Sequence, residues 1–229
     1  LDYQVVVLAA GQGRRMGAGT NKVLLDLAGT PVIVRTLRVF ETDPMCSGIV
    51  LVTRADEADQ FRTLVQHYHL AKVRAFAEGG KERQESVYSG LERLPQDPEM
   101  IVLIHDGARP FITHACIAKT LVSAHEYGAA LLAVPVKDTI KQAAQLKVEK
   151  TLERKSLWAA QTPQAFRLSV IREAHQQSAA VHFMGTDDAS LVERLGMPVA
   201  VVEGSYRNIK LTTPEDLLIA QLFMEREEK

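Results

Sequence analysis

Four uninterrupted apolar runs limit what this chain can fold into: Val5-Val6-Val7-Leu8, Ile49-Val50-Leu51-Val52, Ile101-Val102-Leu103-Ile104 and Ala129-Ala130-Leu131-Leu132-Ala133-Val134. None alternates with polar residues, so each suits a strand covered on both faces. The stretches between them carry apolar residues at helical spacing, as at Val32, Ile33, Leu37 and Phe40. Strands that alternate with helices are joined by crossovers, which make parallel pairs. The predicted fold is therefore a three-layer α/β/α sandwich with a mostly parallel, Rossmann-like sheet. The 229 residues show no repeat, low-complexity tract or linker, so residues 1–229 read as one domain.

Strands are expected at 5–8, 48–53, 72–77, 100–104, 129–136 and 197–203. Helices are expected from Pro31 to about 40, with Thr30 as N-cap and Pro31 at N1, and at 56–69. Others are expected from 82 or 83 to about 94, and at 112–127 and 168–179. A further helix runs from a cap at Thr186-Asp187-Asp188-Ala189-Ser190 to 195, and the last begins at Thr213 or Pro214. Two pieces break the alternation. Residues 137–142 and 148–153 alternate on either side of a polar bend, which reads as a β-hairpin arm over 136–154 inserted into the βαβ pattern. A lone hairpin is barely stable in water, so the arm calls for a partner surface and a homodimer is expected. Trp158 to Phe166 then returns the chain to the core, and Thr162-Pro163-Gln164 is extended because the residue before proline avoids the helical region.

The first strand ends at Ala9-Ala10-Gly11-Gln12-Gly13-Arg14-Arg15-Met16-Gly17, with Lys22 five residues on. Small residues after a strand let backbone N–H groups approach a ligand, and Arg14, Arg15 and Lys22 add cations beside them. Amides and fixed cations facing one concavity suit a polyphosphate. Two familiar glycine loops do not fit. A dinucleotide fingerprint needs Gly or Ala where Met16 stands and an acid about 20 residues on, where Pro31-Val32-Ile33-Val34 lies. A Walker A loop needs Gly-Lys-Ser/Thr, whereas Lys22 stands between Asn21 and Val23.

Three later segments sit where ligands bind in open α/β sheets, outside the carboxyl ends of strands. At Glu78-Gly79-Gly80-Lys81-Glu82-Arg83-Gln84-Glu85-Ser86, two glycines precede a helix, and Gly80 and Ser86 could read a nucleobase edge. At His105-Asp106-Gly107-Ala108-Arg109-Pro110, Asp106 suits a Mg²⁺ ion and Arg109 suits a phosphate, or else Arg109 is the salt-bridge partner of Asp106. His105 reads as a hydrogen-bonded structural residue. Asp187 and Asp188 could form a metal pair, but helix capping is the simpler reading.

Net charge is −1, so no global field draws nucleic acid, and positive charge for a phosphate substrate must be local. Cys46 and Cys116 form no CxxC pair, which argues against a disulfide scaffold or zinc site and suits a reducing cytosol. The opening residues lack the basic-then-apolar pattern of a leader, and no apolar run approaches the roughly 20 residues of a membrane span. A cytoplasmic location, with no membrane or nucleic-acid partner, is expected.

Leu8-Ala9-Ala10-Gly11-x-Gly13-x-Arg15-Met16-Gly17 followed by Lys22 is similar to the opening of the sugar-nucleotidyltransferases. His105 to Pro110 and Asn208-Ile209-Lys210-x-Thr212-x-Pro214-Glu215-Asp216 narrow the resemblance to the 2-C-methyl-D-erythritol 4-phosphate cytidylyltransferases of the non-mevalonate isoprenoid pathway. The likeness spans essentially the whole chain. It implies CMP transfer from CTP to methylerythritol phosphate, with Mg²⁺ on Asp106. It implies Arg15, Lys22 and Lys210 as catalytic cations, and Ala9, Ala10, Gly11, Gly13, Gly80, Ser86 and Asp106 on the nucleotide. It further implies Arg109, Thr139, Arg154 and Thr162 on the acceptor, with Thr139 and Arg154 reaching a neighbouring subunit's site from the arm. Lys81 departs from the family, where an acid is frequent, so only a backbone role is carried over there. A pentitol-phosphate cytidylyltransferase, such as one acting on ribitol 5-phosphate, is an alternative. Its usual Ala-Gly-Gly first loop and Ala-Val before Arg-Pro differ from Ala9-Ala10-Gly11 and Gly107-Ala108-Arg109. A non-catalytic nucleotide-binding regulator is a second alternative, and retention of Arg15, Lys22, Asp106 and Lys210 together speaks against it.

Overall fold

The structure, a computed structural model, describes residues 1–11 and 21–227. In chain order the elements begin with β1 (Tyr3–Leu8), β2 (Asp26–Leu27), β3 (Thr30–Pro31), α1 (Val32–Thr42), β4 (Cys46–Thr53), α2 (Ala58–His67) and β5 (Val73–Glu78). Next come α3 (Arg83–Leu91), β6 (Ile101–Asp106), α4 (His114–Tyr127), β7 (Ala129–Pro135), β8 (Lys141–Ala144) and β9 (Lys147–Thr151). The chain ends with β10 (Trp158–Arg167), α5 (Leu168–Ala180), α6 (Asp188–Arg194), β11 (Ala200–Glu203) and α7 (Pro214–Glu227).

Seven strands form one sheet in the order β11-β7-β10-β6-β1-β4-β5. Neighbours pair in parallel except at β10, which runs antiparallel to both β6 and β7. The mostly parallel sheet is as expected. The strand 158–167 was legible only as an extended return to the core. Its direction has a simple cause: β7 is followed by the arm rather than by a helix, so no crossover turns the chain back to parallel.

Strand alternation divides the core into two layers. Val5, Val7, Ile49, Leu51 and Leu103 pack on one face against Ile33, Leu37 and Phe40 of α1, Phe61 of α2 and Ile117 and Leu121 of α4. Val6, Val50, Val52, Val102 and Ile104 pack on the other against Val87 and Leu91 of α3, Ile171 and Ala174 of α5 and Leu191 and Val192 of α6. A smaller cluster of Leu27, Val32, Phe111, Leu211 and Ala220 seats α7. Among the described residues no helix is long and apolar enough to cross a membrane.

The start of α1 corrects the sequence reading by one residue. Thr30 pairs with Leu27 in a two-residue ladder, so it is not free to cap, and Pro31 becomes the N-cap without a side-chain bond. Ala28 and Gly29 make the tight turn with φ of 50° and 76°. The arm forms its own two-stranded sheet, exposed at every position of β8 and β9. Its root is tied down: Tyr206 Oη donates to the Pro135 carbonyl (2.6 Å), and Lys137 Nζ lies 3.6 Å above the Tyr206 ring.

Candidate active site

The parallel strands β1, β4 and β6 end along one edge of the sheet, and a cavity of about 410 Å³ opens there. Its walls include Ala9, Ala10 and Gly11 after β1, Lys22, Gly80, Arg83 and Ser86 around the start of α3, Asp106 ending β6, and Lys210. Eight of the residues expected on the nucleotide or its phosphates (Ala9, Ala10, Gly11, Lys22, Gly80, Ser86, Asp106, Lys210) therefore converge. Gly13 and Arg15, with Arg14, lie outside the described residues. Lys22, Lys81, Arg83 and Lys210 outnumber Glu82 and Asp106 on the described wall. Positive charge is thus concentrated locally in a chain of net charge −1, as a polyanionic ligand requires.

Asn21 closes the first loop onto the strand it left. Its Nδ2 donates to the Ala9 carbonyl (2.6 Å) and to Glu57 Oε2 (2.8 Å), and its Oδ1 accepts the Val23 N–H (3.3 Å). The backbone at Lys22 is thereby fixed beside the cavity. Among the described residues a Cβ on Gly11 would meet nothing within 4 Å, which leaves its backbone open to the cavity. Gly79 and Gly80 differ. A Cβ on Gly79 would lie 2.3 Å from Ala10 Cβ, and one on Gly80 2.3 Å from Glu85 Cβ. These two glycines let the loop nest against the first loop and against the first turn of α3. Glu85 Oε2 accepts the Lys81 N–H (2.7 Å), and Ser86 Oγ accepts the Gly80 N–H (3.1 Å) while donating to the Glu82 carbonyl (3.1 Å).

Asp106 is the electrostatic centre. Lys210 Nζ is 2.7 Å from Oδ2, Arg109 Nε 3.7 Å from Oδ2 and Arg83 Nε 3.6 Å from Oδ1. Burial by itself would raise the pKa of this carboxyl; Lys210, Arg83 and Arg109 outweigh it and hold the group well below the usual carboxylate range. Asp106 is therefore ionised at any working pH. Mg²⁺ takes one or two protein carboxylates and completes its shell with phosphate oxygens and water, so Asp106 would hold it together with nucleotide phosphates and in exchange for part of its contact with Lys210, Arg83 and Arg109. Among the described residues no cluster of three His, Cys, Asp or Glu side chains forms a separate metal cage.

His105 is structural, as expected, and its partners are informative. Its Nε2 lies 3.1 Å from the Arg109 carbonyl, which can only accept, so the proton resides on Nε2. Nδ1 then accepts from the Thr162 hydroxyl (3.1 Å), and Thr162 Oγ1 accepts the Asp106 N–H (3.0 Å). Burial pushes the His105 pKa down to about 4, which keeps this neutral form. Thr162 thus has an inward task that the sequence reading had not assigned, and Arg109 takes the salt-bridge alternative to a phosphate contact. Arg109 Nη1 donates to the Asn208 carbonyl (2.7 Å), and Asn208 Nδ2 donates to the Thr162 carbonyl (2.9 Å) and to Gln161 Oε1 (3.2 Å). This lattice ties the Asn208-Ile209-Lys210 segment to Asp106. Thr139 and Arg154 are exposed at the arm, away from the cavity wall, and Arg154 Nη1 donates to the Lys137 carbonyl (2.7 Å).

The Asp187-Asp188 pair resolves as capping. Asp187 Oδ1 accepts the Ser190 N–H at the start of α6 (3.0 Å), and its Oδ2 accepts from Gln164 Nε2 (2.8 Å). Asp188 turns inward to Arg83 and His175, so the two carboxylates do not share a metal. Sequence reasoning missed Asn21 and Arg83, and it named Asp188 only as a cap or metal ligand and Asn208 only as part of a motif. A signal existed for Arg83, a cation opening a helix at a strand's carboxyl end; the others are recognisable only through partners remote in sequence.

Comparison with known proteins places this site in context. Residues 3–226 match the family model of 2-C-methyl-D-erythritol 4-phosphate cytidylyltransferase (IspD). A relative of that name from Geobacillus thermodenitrificans is 57% identical over 224 residues, covering 98% of this chain and 97% of the relative. Another from Bacillus velezensis is 54% identical, covering 99% and 97%. The crystal structure of 4-diphosphocytidyl-2C-methyl-D-erythritol synthase from Anaerococcus prevotii superposes with a TM-score of 0.85 at 31% identity, covering 98% of this chain and 99% of that one. That of the Francisella tularensis cytidylyltransferase gives 0.83 at 30%, covering 97% and 99%. With a cation-lined cavity at the carboxyl edge of its sheet and a family match over residues 3–226, this chain belongs to the 2-C-methyl-D-erythritol 4-phosphate cytidylyltransferase family.

Proposed function

We infer that this chain transfers CMP from CTP to 2-C-methyl-D-erythritol 4-phosphate, giving 4-diphosphocytidyl-2-C-methyl-D-erythritol and pyrophosphate in non-mevalonate isoprenoid biosynthesis. The observation that carries the reaction class is the ionised Asp106 ringed by Lys210, Arg83 and Arg109 beside Lys22. Kinship supplies the acceptor.

The acceptor phosphate has its second pKa near 6, so the attacking oxygen is largely dianionic at neutral pH and needs no general base. That oxygen bonds to the α-phosphorus, and the α–β bridging bond breaks with its electron pair leaving on pyrophosphate. The barrier is repulsion between anions plus charge gathering on the leaving group, so catalysis is positioning and electrostatics. Lys22 and Arg15 hold the triphosphate and neutralise the departing pyrophosphate. Lys210, fixed through Asn208 and Asp106, faces the α-phosphate and the attacking oxygen. The backbone of Ala9, Ala10 and Gly11 borders the nucleotide, a role the family resemblance also gives Gly13, and Gly80 and Ser86 border its base. Asp106, together with nucleotide phosphates, would hold Mg²⁺, and the ion would supply charge neutralisation there.

The chain works as a homodimer in this reading. The 136–154 arm delivers Thr139 and Arg154 to the neighbouring subunit's acceptor, for which the resemblance also names Arg109 and Thr162. Two free cysteines, one of them buried, suit a reducing, cytoplasmic setting.

Pyrophosphate release from CTP and Mg²⁺ tests the reading, with methylerythritol 4-phosphate and ribitol 5-phosphate run separately and UTP and ATP as controls. Strong release with CTP and methylerythritol phosphate alone is expected. Release with ribitol phosphate would overturn the acceptor, and CTP binding without release from either would favour a regulator.

A further inference from the structure

Behind the cavity lies a buried cluster of titratable groups that the chemistry above does not use. Asp188, first residue of α6, is 1% exposed, and His175 of α5 is 2% exposed. His175 Nε2 stands 3.6 Å from Asp188 Oδ1, and Arg83 Nη1 stands 2.7 Å from Asp188 Oδ2. The Arg83 contact is the shorter of the two and draws the guanidinium toward the interior. The same guanidinium lines the cavity and puts its Nε 3.6 Å from Asp106 Oδ1. One planar group thus spans from an acid sealed in the interior to the acid at the centre of the site.

Each end of this span is built. Arg83 opens α3, whose first turn is fixed by Glu85 on the Lys81 N–H. Asp188 follows the capping residue Asp187, and the Ala189 N–H beside it donates to Gln164 Oε1 of β10 (2.9 Å). Asp188 is therefore rigid, whereas Arg83 is a long side chain about one-third exposed, with solvent in the cavity to turn into. A buried ion pair is seldom worth more to stability than apolar packing of the same shape, so stability alone is a weak reason for one here. Holding a cation in one orientation beside a polyanion site is a better one.

We propose that Asp188 is a positioning residue for nucleotidyl transfer: it holds the Arg83 guanidinium beside Asp106, so that Arg83 presents a fixed cation to bound CTP. The proposal rests on the cytidylyltransferase reading for its ligand. It predicts that the two residues act as one unit.

A double-mutant cycle with Arg83→Gln and Asp188→Asn, read as kcat/KM for CTP and as CTP affinity by calorimetry, tests this. Arg83→Gln is expected to lower kcat/KM on the order of 10²-fold, and Asp188→Asn about tenfold or more. In the Arg83→Gln background, Asp188→Asn is expected to cost no more than about twofold further. Losses that multiply, or an Asp188→Asn enzyme with full kcat/KM, would overturn the proposal. Arg83→Lys keeps the charge at a part-exposed position but lacks the planar fork, so it is expected to lose about as much as Arg83→Gln. Full turnover in Arg83→Lys would also overturn the proposal, whether or not the Asp188 variant folds. A wild type that binds CTP without releasing pyrophosphate would sink the function reading, and the affinity cycle would still decide the positioning role. A wild type that binds no CTP would sink both.

Discussion

Lys210 shows how one side chain can serve a site twice. It neutralises Asp106 at 2.7 Å and stands at the cavity wall where phosphates would bind. Lys210→Ala is expected to lower kcat by 10²-fold or more in the pyrophosphate assay and to lower thermal stability as well, because buried Asp106 loses its nearest cation. His105 makes a pH prediction whose sign follows from its burial. The unfolded chain takes a proton on this ring near 6.5, whereas the folded chain resists until about pH 4. Between those values the unfolded state binds more protons, so stability is complete above pH 6.5 and falls as the pH drops toward 4. The loss is about 3 kcal/mol. Urea midpoints measured across this window should fall in the wild type and fall less in His105→Gln. Thr162→Val would strand the buried Asp106 N–H and unseat the His105 tautomer together. It should cost about 1–3 kcal/mol of stability and lower turnover.

At the scale of elements, α3 matters because it carries the base-side wall and Arg83 into one corner. It can do so only by lying very close to the sheet. A Cβ on Gly90 would fall 2.4 Å from Val6 Cγ1 and 3.0 Å from Val52 Cγ2. Gly90→Ala should therefore overpack the core by about 1–3 kcal/mol, lowering the melting midpoint by several degrees. Trimming the obstacle with Val6→Ala in the same chain should recover part of the loss, which calorimetry would register. Strand β10 matters for a different reason. Running antiparallel between β6 and β7, it brings its middle residues, Gln161 and Thr162, beside the carboxyl end of β6. A parallel strand there would have offered the site only its terminus.

The whole molecule couples the site to the arm through one short path. Lys137 and Tyr206 clamp the arm's root, Gln161 Nε2 donates to the Ser205 carbonyl, and Asn208 leads to Lys210. If the arm completes a dimer, replacing residues 140–151 with a short glycine-serine turn should shift the chain to monomer by analytical ultracentrifugation. CTP affinity should stay near wild type while the KM for the acceptor rises at least tenfold. A variant that stays dimeric, or a monomer with an unchanged acceptor KM, would refute that role for the arm.

Much of this was written in the sequence because it depends on local chemistry. Apolar runs that suit two-sided burial announced the parallel strands, and small residues and cations at their carboxyl ends announced the cavity. Asp187 declared itself as a cap, since capping is a matter of three or four neighbouring residues. What remained hidden depends on groups brought together from distant parts of the chain. The antiparallel β10 follows from the absence of a crossover helix, and Thr30 lost its capping role to a ladder with Leu27. Arg83, Asp188 and His175 are three ordinary polar residues in sequence. Only the packing of α3, α5 and α6 on one face of the sheet brings them together in a line of polar contacts leading to Asp106, because a buried acid is tolerated only where the fold supplies partners for it.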